Sequence, residues 1–512
     1  MRGAIHARAL GHHRRGAEVP ATDLAEAAGT LLVDGYRLAL AAAHDDDGTA
    51  RVVYVFTKGP PDDRVELTVR VDGPEPLPSL GGLSFPAGRF EREMADLFGI
   101  SLAGHPQPRR LVLHQHWPEG WHPMRRDAGP APAMVEDSSS SYPFAPVEGP
   151  GVYEIPVGPV HAGLIEPGHF RFWVVGETIL RMKARLWFVH KGIERHFQEQ
   201  TPEAGLELAE RISGDSAVGH GLAYCLAVED ALGIPVGTDA CLVRAALLEL
   251  ERLYNHVADL GALCNDVGFG LAQARALALR EDLLRLNAEV TGHRLLRGGV
   301  RVGGASVARL PRRAELEGIR RRFDAIVELA LSNSVVLERF TGTATLDADD
   351  ARALGVVGPV ARASGLEFDA RVSHPITDRV VFPVAVRRTG DVLARFEIRV
   401  EELRNSMDVL TSLSEMLSDS GAGSTLITGA GPGAGESESS ALRTGLGIVE
   451  GWRGAVVHRV ELDGAGRLSR VKVVDPSFLN WPALPVALAD TIVPDFPLAN
   501  KSFNLSYAGN DL

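Results

Sequence analysis

A chain of 512 residues, 45% hydrophobic and 23% charged, reads as a soluble globular protein of two or three domains, and its net charge of −13 offers nucleic acid no basic stripe. Its three cysteines, Cys225, Cys241 and Cys264, form no Cys-x-x-Cys pair and no disulfide framework, so a reducing cytoplasm is expected. No apolar run reaches the roughly 18–20 residues that cross a bilayer, and the start MRGAIHARALGHHRRG lacks the apolar core of a signal peptide.

In chain order, residues 1–20 are expected to be a flexible tail and 21–127 a small α+β domain. A helix should begin near Thr22 or Asp23, either of which can cap it. Residues 51–58 and 64–72 read as strands joined by the hairpin GPPDD. In the second strand Val65, Leu67, Val69 and Val71 alternate with Glu66, Thr68 and Arg70, the period of a sheet with one face buried. Residues 128–149 are rich in Pro, Ala and Ser and read as a linker.

From 150 to 512 the pattern is mainly helical. Within 239–266, Ala246, Leu250, Leu253, Val257, Leu260 and Cys264 form one stripe, with Glu251, Arg252 and Asp259 elsewhere around the helix. Similar patterns over 276–297, 313–339 and 397–419 predict a bundle, and Gly298–Gly299 should stop the first of these. Small β-sheets are predicted at its flanks, over 151–179 and over 455–475 with DGAG as the turn.

Two groups of motifs carry more than periodicity. In residues 90–127 the ordered set Glu91, Arg92, Glu93, Asp96, Phe98, Gly99, Gly104, His105, Pro106, Arg109, Arg110, Arg125 and Asp127 resembles the C-subunit family of respiratory complex I. Composition alone would make this a solvated charged helix and a Pro-rich loop. The ordered match favours the family, with the charges as docking and structural groups. Beyond the linker, GPVHAG, GHFRF, VHKGIERHF, ERISGDS, LLELERLYNHVADLG, GPVARASGLEFDAR, GIVEGWRG, NWPAL and PLANKSFNLSYAGND resemble nickel–iron hydrogenase large subunits and the complex I D subunit. The whole is similar to a fused C/D-type subunit of the formate hydrogenlyase kind. The resemblance implies an α+β fold, a C-subunit-like domain followed by a mainly helical large-subunit-like domain.

It also implies site positions. The first pair of family cysteines falls at Ser213 and Ser216 and the last pair at Ser506 and Gly509. Hydroxyls do not replace the soft thiolates that hold nickel and iron, so no metal and no hydrogen activation are expected. In complex I the corresponding cavity takes a quinone headgroup. Its histidine loop begins at His161, its second histidine falls at Pro167 or His169, and its tyrosine position is Gly214. Losing that tyrosine weakens the polar grip on a quinone, and Tyr507 is the candidate substitute hydroxyl. Glu229, Glu249 and His256 are proton-relay candidates, with Arg244, Arg362, Asp369 and Arg371 around them. The competing reading, which is favoured, is that these charges form ion pairs tying helices together.

His190, Glu194 and His196 lack zinc spacing, and Asp215 is a lone carboxylate. The G-x-G-x-x-A of Gly429, Gly431 and Ala434 is followed by no amphipathic helix and reads as a loop. No cofactor is expected on this chain: the resemblance places an iron–sulfur cluster in a small partner subunit, a quinone as the candidate acceptor, and NAD chemistry only in the wider complex. The other implied partners are antiporter-like membrane subunits, and the implied location is cytoplasmic, peripheral on the inner face of the cell membrane. The end at Asp511–Leu512 implies no processing tail. A non-catalytic scaffold is the alternative, and a hydrogenase with other ligands the remote one.

Overall fold

The computed structural model describes residues 8–11, 13–71, 73, 75–134, 142, 144–162, 165–419, 427–428 and 443–512. The first sheet has the order β1-β2-β5-β4-β3, from β1 (Arg8–Gly11), β2 (Arg14–Glu18), β3 (Arg37–Asp46), β4 (Thr49–Lys58) and β5 (Asp63–Val71). β4 and β5 pair antiparallel across GPPDD, and β2 runs parallel to β5.

The expected tail is corrected here: β1 and β2 are part of the sheet. Arg14 pins them, because its buried guanidinium bonds Glu66 at 2.8 Å and Asp230 at 2.9 Å. Helix α1 (Leu24–Val33) follows a 3₁₀ turn, with Asp23 at the N-cap position but making no side-chain cap bond.

Helix α2 (Phe85–Phe98) starts where Ser84 accepts the Ala87 N–H and stops at left-handed Gly99. Glu91, Glu93 and Asp96 are buried on it, so the solvated-helix reading fails. The two-residue strands β6 (Leu77–Pro78) and β7 (Leu102–Ala103) flank α2 and pair in parallel.

β8 (Val152–Val157), β9 (His169–Val175) and β10 (Thr178–Arg185) form the next sheet. After short α3 (Ile193–His196) and α4 (Pro202–Ala209) come α5 (Ala217–Leu232), α6 (Thr238–Asp266) and α7 (Gly270–Thr291). α7 ends at Gly292 rather than at Gly298–Gly299: Gly292 takes φ 84° and donates its N–H to Ala288, a turn that only glycine adopts readily. Residues 300–305 turn back as β11 (Val300–Arg301) and β12 (Gly304–Ala305).

The segment expected as one helix over 313–339 is two, α8 (Arg313–Leu331) and α9 (Ser334–Phe340), because Asn333 caps the second through the N–H groups of Val335 and Val336. Short helices α10 (Ala348–Leu354), α11 (Gly358–Ala363) and α12 (Ala370–Ser373) lead to α13 (Val392–Asp419), and β13 (Ile427–Thr428) pairs with β12.

The last sheet, β14 (Arg443–Gly451), β15 (Gly454–Leu462) and β16 (Leu468–Val474), includes the predicted DGAG hairpin. Short α14 (Pro476–Asn480), α15 (Ala483–Ala487), α16 (Phe496–Phe503) and α17 (Tyr507–Asp511) close the chain.

α5 lies on β14, while α6, α7, α8 and α13 make the bundle. α6 is buried around its whole girth, so Glu251, Arg252 and Asp259 are interior groups rather than a solvated face. The sheet of β14–β16 also meets the N-terminal sheet. Val52, Leu67, Leu446 and Val457 share one apolar core, and Arg459 bonds Glu66 at 3.2 Å. Glu66, placed by alternation on the open face of β5, is therefore buried.

Candidate functional site

Four segments converge near the C-terminus: the turn 213–216 before α5, the loop residues 158–162 and 165–168, the Trp452–Arg453 turn between β14 and β15, and the final residues. Ser506 caps α17 by accepting the Gly509 N–H at 2.9 Å, and its hydroxyl lies 2.9 Å from that of Ser213. Ser213 also donates to Asp215 at 3.0 Å. Arg453 stacks on Trp452 and grips both Asp215 oxygens at 2.7 Å. Desolvation pushes the Asp215 carboxyl up, and Arg453 more than offsets it, leaving it below its ordinary range. The Ser216 hydroxyl accepts from the Trp452 ring N–H at 3.1 Å.

At Gly509 a Cβ would fall 2.5 Å from the Asp475 carboxylate. Asp475 in turn bonds His220 Nε2 at 3.0 Å, and His220 Nδ1 sits 3.0 Å from His458 Nε2. The four expected ligand positions thus meet in one buried hydrogen-bonded cluster. Three hydroxyls and a glycine are not a donor set for nickel and iron. The three thiols lie instead on α5 and α6.

The loop histidines bond backbone. His161 donates to the Gly168 carbonyl at 2.7 Å and His169 to that of Gly158 at 3.1 Å, leaving His169 Nε2 buried with no partner. Gly214 faces open space. The Tyr507 ring lies against Gly168 and, at 5.0 Å between centroids, against Trp481. Burial pushes its hydroxyl up to about 12.

Beneath this cluster lies a charged layer. Glu249 bonds Arg371 at 3.1 Å and Arg252 at 3.2 Å; Arg252 approaches Glu402 at 3.5 Å; Glu402 holds His256 at 2.8 Å and Arg362 at 2.7 Å; and Arg362 reaches Glu450 at 2.7 Å. Asp369 closes the layer on Arg371 at 2.7 Å. Burial lowers His256 and raises Glu450. With His256 neutral, four carboxylates face three guanidiniums, and Glu450 is where a proton can relieve the surplus. Glu229 pairs elsewhere, with Arg244 at 3.0 Å and the Gly303 N–H at 2.7 Å, tying α5 to α6 and the 300–305 turn.

Of the weaker candidates, Glu194 is committed to Arg470 at 2.7 Å and Lys472 at 3.0 Å, and His190 to the Asp511 carbonyl. Among the described residues no group of three His, Cys, Asp or Glu is placed to hold a metal ion. The G-x-G-x-x-A segment lies outside the described residues.

Sequence reasoning missed Glu251. Its carboxylate accepts the N–H groups of Val218 at 2.7 Å and Gly219 at 3.0 Å, at the start of α5 behind the serine turn. Burial outweighs these bonds and, with Asp215 nearby, pushes it up to about 8. The only signal was its place among interior helical residues. A raised carboxyl contributes stability that is complete below its unfolded range and is lost as pH climbs through about 8. The loss is at most about 1.4 kcal/mol per pH unit. Glu251→Gln should therefore flatten the fall in melting temperature between pH 5 and pH 8. An unchanged slope would show that Glu251 titrates normally.

Comparison with known proteins fixes the family. Residues 17–132 match the family described as "Respiratory-chain NADH dehydrogenase, 30 Kd subunit", and residues 266–428 match "Respiratory-chain NADH dehydrogenase, 49 Kd subunit". Formate hydrogenlyase subunit 5 of Escherichia coli (strain K12) is 30% identical over 87% of this chain and 79% of its own length. The chain belongs to the fused complex I C/D-type family. Hydrogenase-4 component G of the same organism is 32% identical, over 82% of this chain and 73% of that one. The fused C/D-type NADH-quinone oxidoreductase chain of Phocaeicola vulgatus is 29% identical, over 68% of this chain and 71% of that one. A chain of the membrane-bound sulfane sulfur reductase, an archaeal respiratory membrane complex, shares the fold. Its TM-score is 0.61 at 23% identity, over 71% of this chain and 99% of that one. Among the described residues of this C/D-type chain, no helix is long and apolar enough to cross a membrane.

Proposed function

We propose that this C/D-type chain is the peripheral subunit of a membrane-associated, complex I-like electron-transfer complex, and that it does not itself activate hydrogen. The observation that supports the second half is the 2.9 Å contact between the hydroxyls of Ser213 and Ser506, two residues that the sequence resemblance would put at metal-ligand positions. The first half rests on relatives that are subunits of formate hydrogenlyase, hydrogenase-4 and NADH-quinone oxidoreductases. In this reading a small iron–sulfur subunit docks at the serine cluster, antiporter-like subunits anchor the complex, and the chain sits on the inner face of the cell membrane. A quinone or similar acceptor would approach loop residues 158–162 and 165–168, where the unpartnered Nε2 of His169, an acceptor while Nδ1–H bonds the Gly158 carbonyl, would take the hydrogen bond of a reduced quinone's hydroxyl. NAD chemistry, if the complex performs it, belongs to other subunits. The bonds of both loop histidines to backbone carbonyls favour a second reading, a scaffold that binds no acceptor.

The test extracts the tagged chain from its native membranes in mild detergent, identifies its partners by mass spectrometry, and measures iron and nickel. Iron with iron–sulfur and antiporter-like partners is expected. Nickel near one per chain would overturn the reading. Quinone reduction that survives purification and falls in His169→Ala would rule out the scaffold.

A further inference from the structure

A cavity of about 360 Å³ opens between α2 and the sheet of β8–β10, well apart in character from the serine cluster. Six cations line it: Arg89 and Arg92 on α2, Arg109 in the loop that follows, and Arg181, Lys183 and Arg185 on β10. The placement follows from simple periodicity. Positions 181, 183 and 185 share one face of a strand, and 89 and 92 share one face of a helix. None of the described lining residues is acidic.

What these cations bond is unusual for buried charge. Arg92 donates to the carbonyls of Arg109 at 2.8 Å and Arg110 at 2.9 Å, and Arg185 to those of Leu111 and, at 3.1 Å, Leu113. They have carbonyl dipoles as acceptors rather than counter-charges. Arg89 lies over the Phe478 ring at 4.6 Å, and its Nε and Nη2 are buried without an acceptor. Burial and mutual repulsion push Lys183 down to about 8 and Arg89 to about 9. Elsewhere in the same molecule Arg362, Arg371 and Arg459 each meet carboxylates. The other wall is apolar and aromatic, with Trp173, Trp187, Trp481, Leu354 and Pro485. Like charges held together around an open volume are stabilised by an anion that enters it.

We propose that this cavity binds a small organic anion whose phosphate or carboxylate group meets Arg89, Arg92 and Lys183 and whose apolar or aromatic body lies against the tryptophans. The cations supply several charge-assisted donors that no protein group uses, and the tryptophans supply the contact area.

Isothermal titration calorimetry on the full-length chain tests it, with 1-naphthyl phosphate, inorganic phosphate and the neutral 1-naphthalenemethanol as probes. The naphthyl phosphate should bind about tenfold or more tighter than either of the others, since a charge-assisted bond and the ring contact each exceed 1.4 kcal/mol. Lys183→Gln and Arg89→Gln should each weaken it about tenfold, while Lys183→Arg and the exposed-site control Arg313→Gln leave it within about twofold. Circular dichroism melts check that the Gln variants stay folded, and the half-buried Lys183 keeps the test usable if Arg89→Gln does not. No binding of naphthyl phosphate, equal binding of the neutral alcohol, or undiminished binding by both Gln variants would overturn the proposal. So would capture by phosphatidylglycerol vesicles without binding of the soluble probe, which would assign the basic face to a membrane surface.

Discussion

Arg362→Met is expected to cost roughly 3–5 kcal/mol of stability, the range for removing one partner from a buried charge cluster. Arg362 is inaccessible to solvent on α11 and joins three elements at once. It bonds Glu402 of α13 at 2.7 Å, Glu450 of β14 at 2.7 Å, and the Phe368 carbonyl at 3.0 Å. Asp369 lies 3.5 Å away. Without the guanidinium, four carboxylates stay buried with a neutral His256 and the two remaining arginines, Arg252 and Arg371. Methionine fills the volume and leaves the charge uncompensated. Arg362→Lys should recover part of the loss, because an ammonium can face one carboxylate but not span two. Thermal unfolding of the three proteins at neutral pH is the measurement. A loss for Arg362→Met below about 1 kcal/mol, the scale of an exposed ion pair, would mean that water reaches the layer.

Gly447→Val should be comparably severe for a steric reason. Gly445 and Gly447 point at α5 from alternate positions of β14. A Cβ at 445 would fall 1.8 Å from the Ala227 carbonyl, and one at 447 would fall 1.9 Å from that of Ala223. Ala223 and Ala227 are one helical turn apart, so helix and strand meet as backbone on backbone. Overpacking a core costs about 1–3 kcal/mol when side chains can move aside. Backbone cannot, so the loss should lie at or beyond the upper end. Lifting α5 would also draw the Val218 and Gly219 N–H groups from Glu251. Urea unfolding read by far-ultraviolet circular dichroism is the check. An unshifted midpoint for Gly447→Val would mean that α5 slides freely on the sheet.

These residues show where sequence is readable and where it is not. The alternation over 64–72 located β5, and the stripe from Ala246 to Cys264 located α6, because both patterns are local. Glu66 and Glu251 were misplaced because their burial comes from afar. Glu66 is covered through Arg459, 393 positions away, and Glu251 faces the start of a different helix. The tail was misjudged for the same reason, since Arg14 finds Asp230 and Thr444 far along the chain. Motif spacing brought Ser213, Ser216, Ser506 and Gly509 to one place. It gave no hint that Asp475 would stand where a side chain at 509 would go. Gly298–Gly299 looked like a helix stop because a glycine pair is a strong local signal, but an earlier glycine at 292 had already taken the role.

The joint between the two fused parts has a consequence for why they are one chain. Lys472 meets Glu93 at 2.8 Å, Arg51 meets Glu461 at 2.6 Å, and Arg14 meets Asp230 at 2.9 Å, all around a shared apolar core. Contacts of that kind hold two separate polypeptides together as readily as two segments of one. The peptide link across residues 128–149 therefore contributes stoichiometry more than affinity. Each copy of the large part is synthesised with its own copy of the small one, and neither emerges with the facing halves of these ion pairs bare.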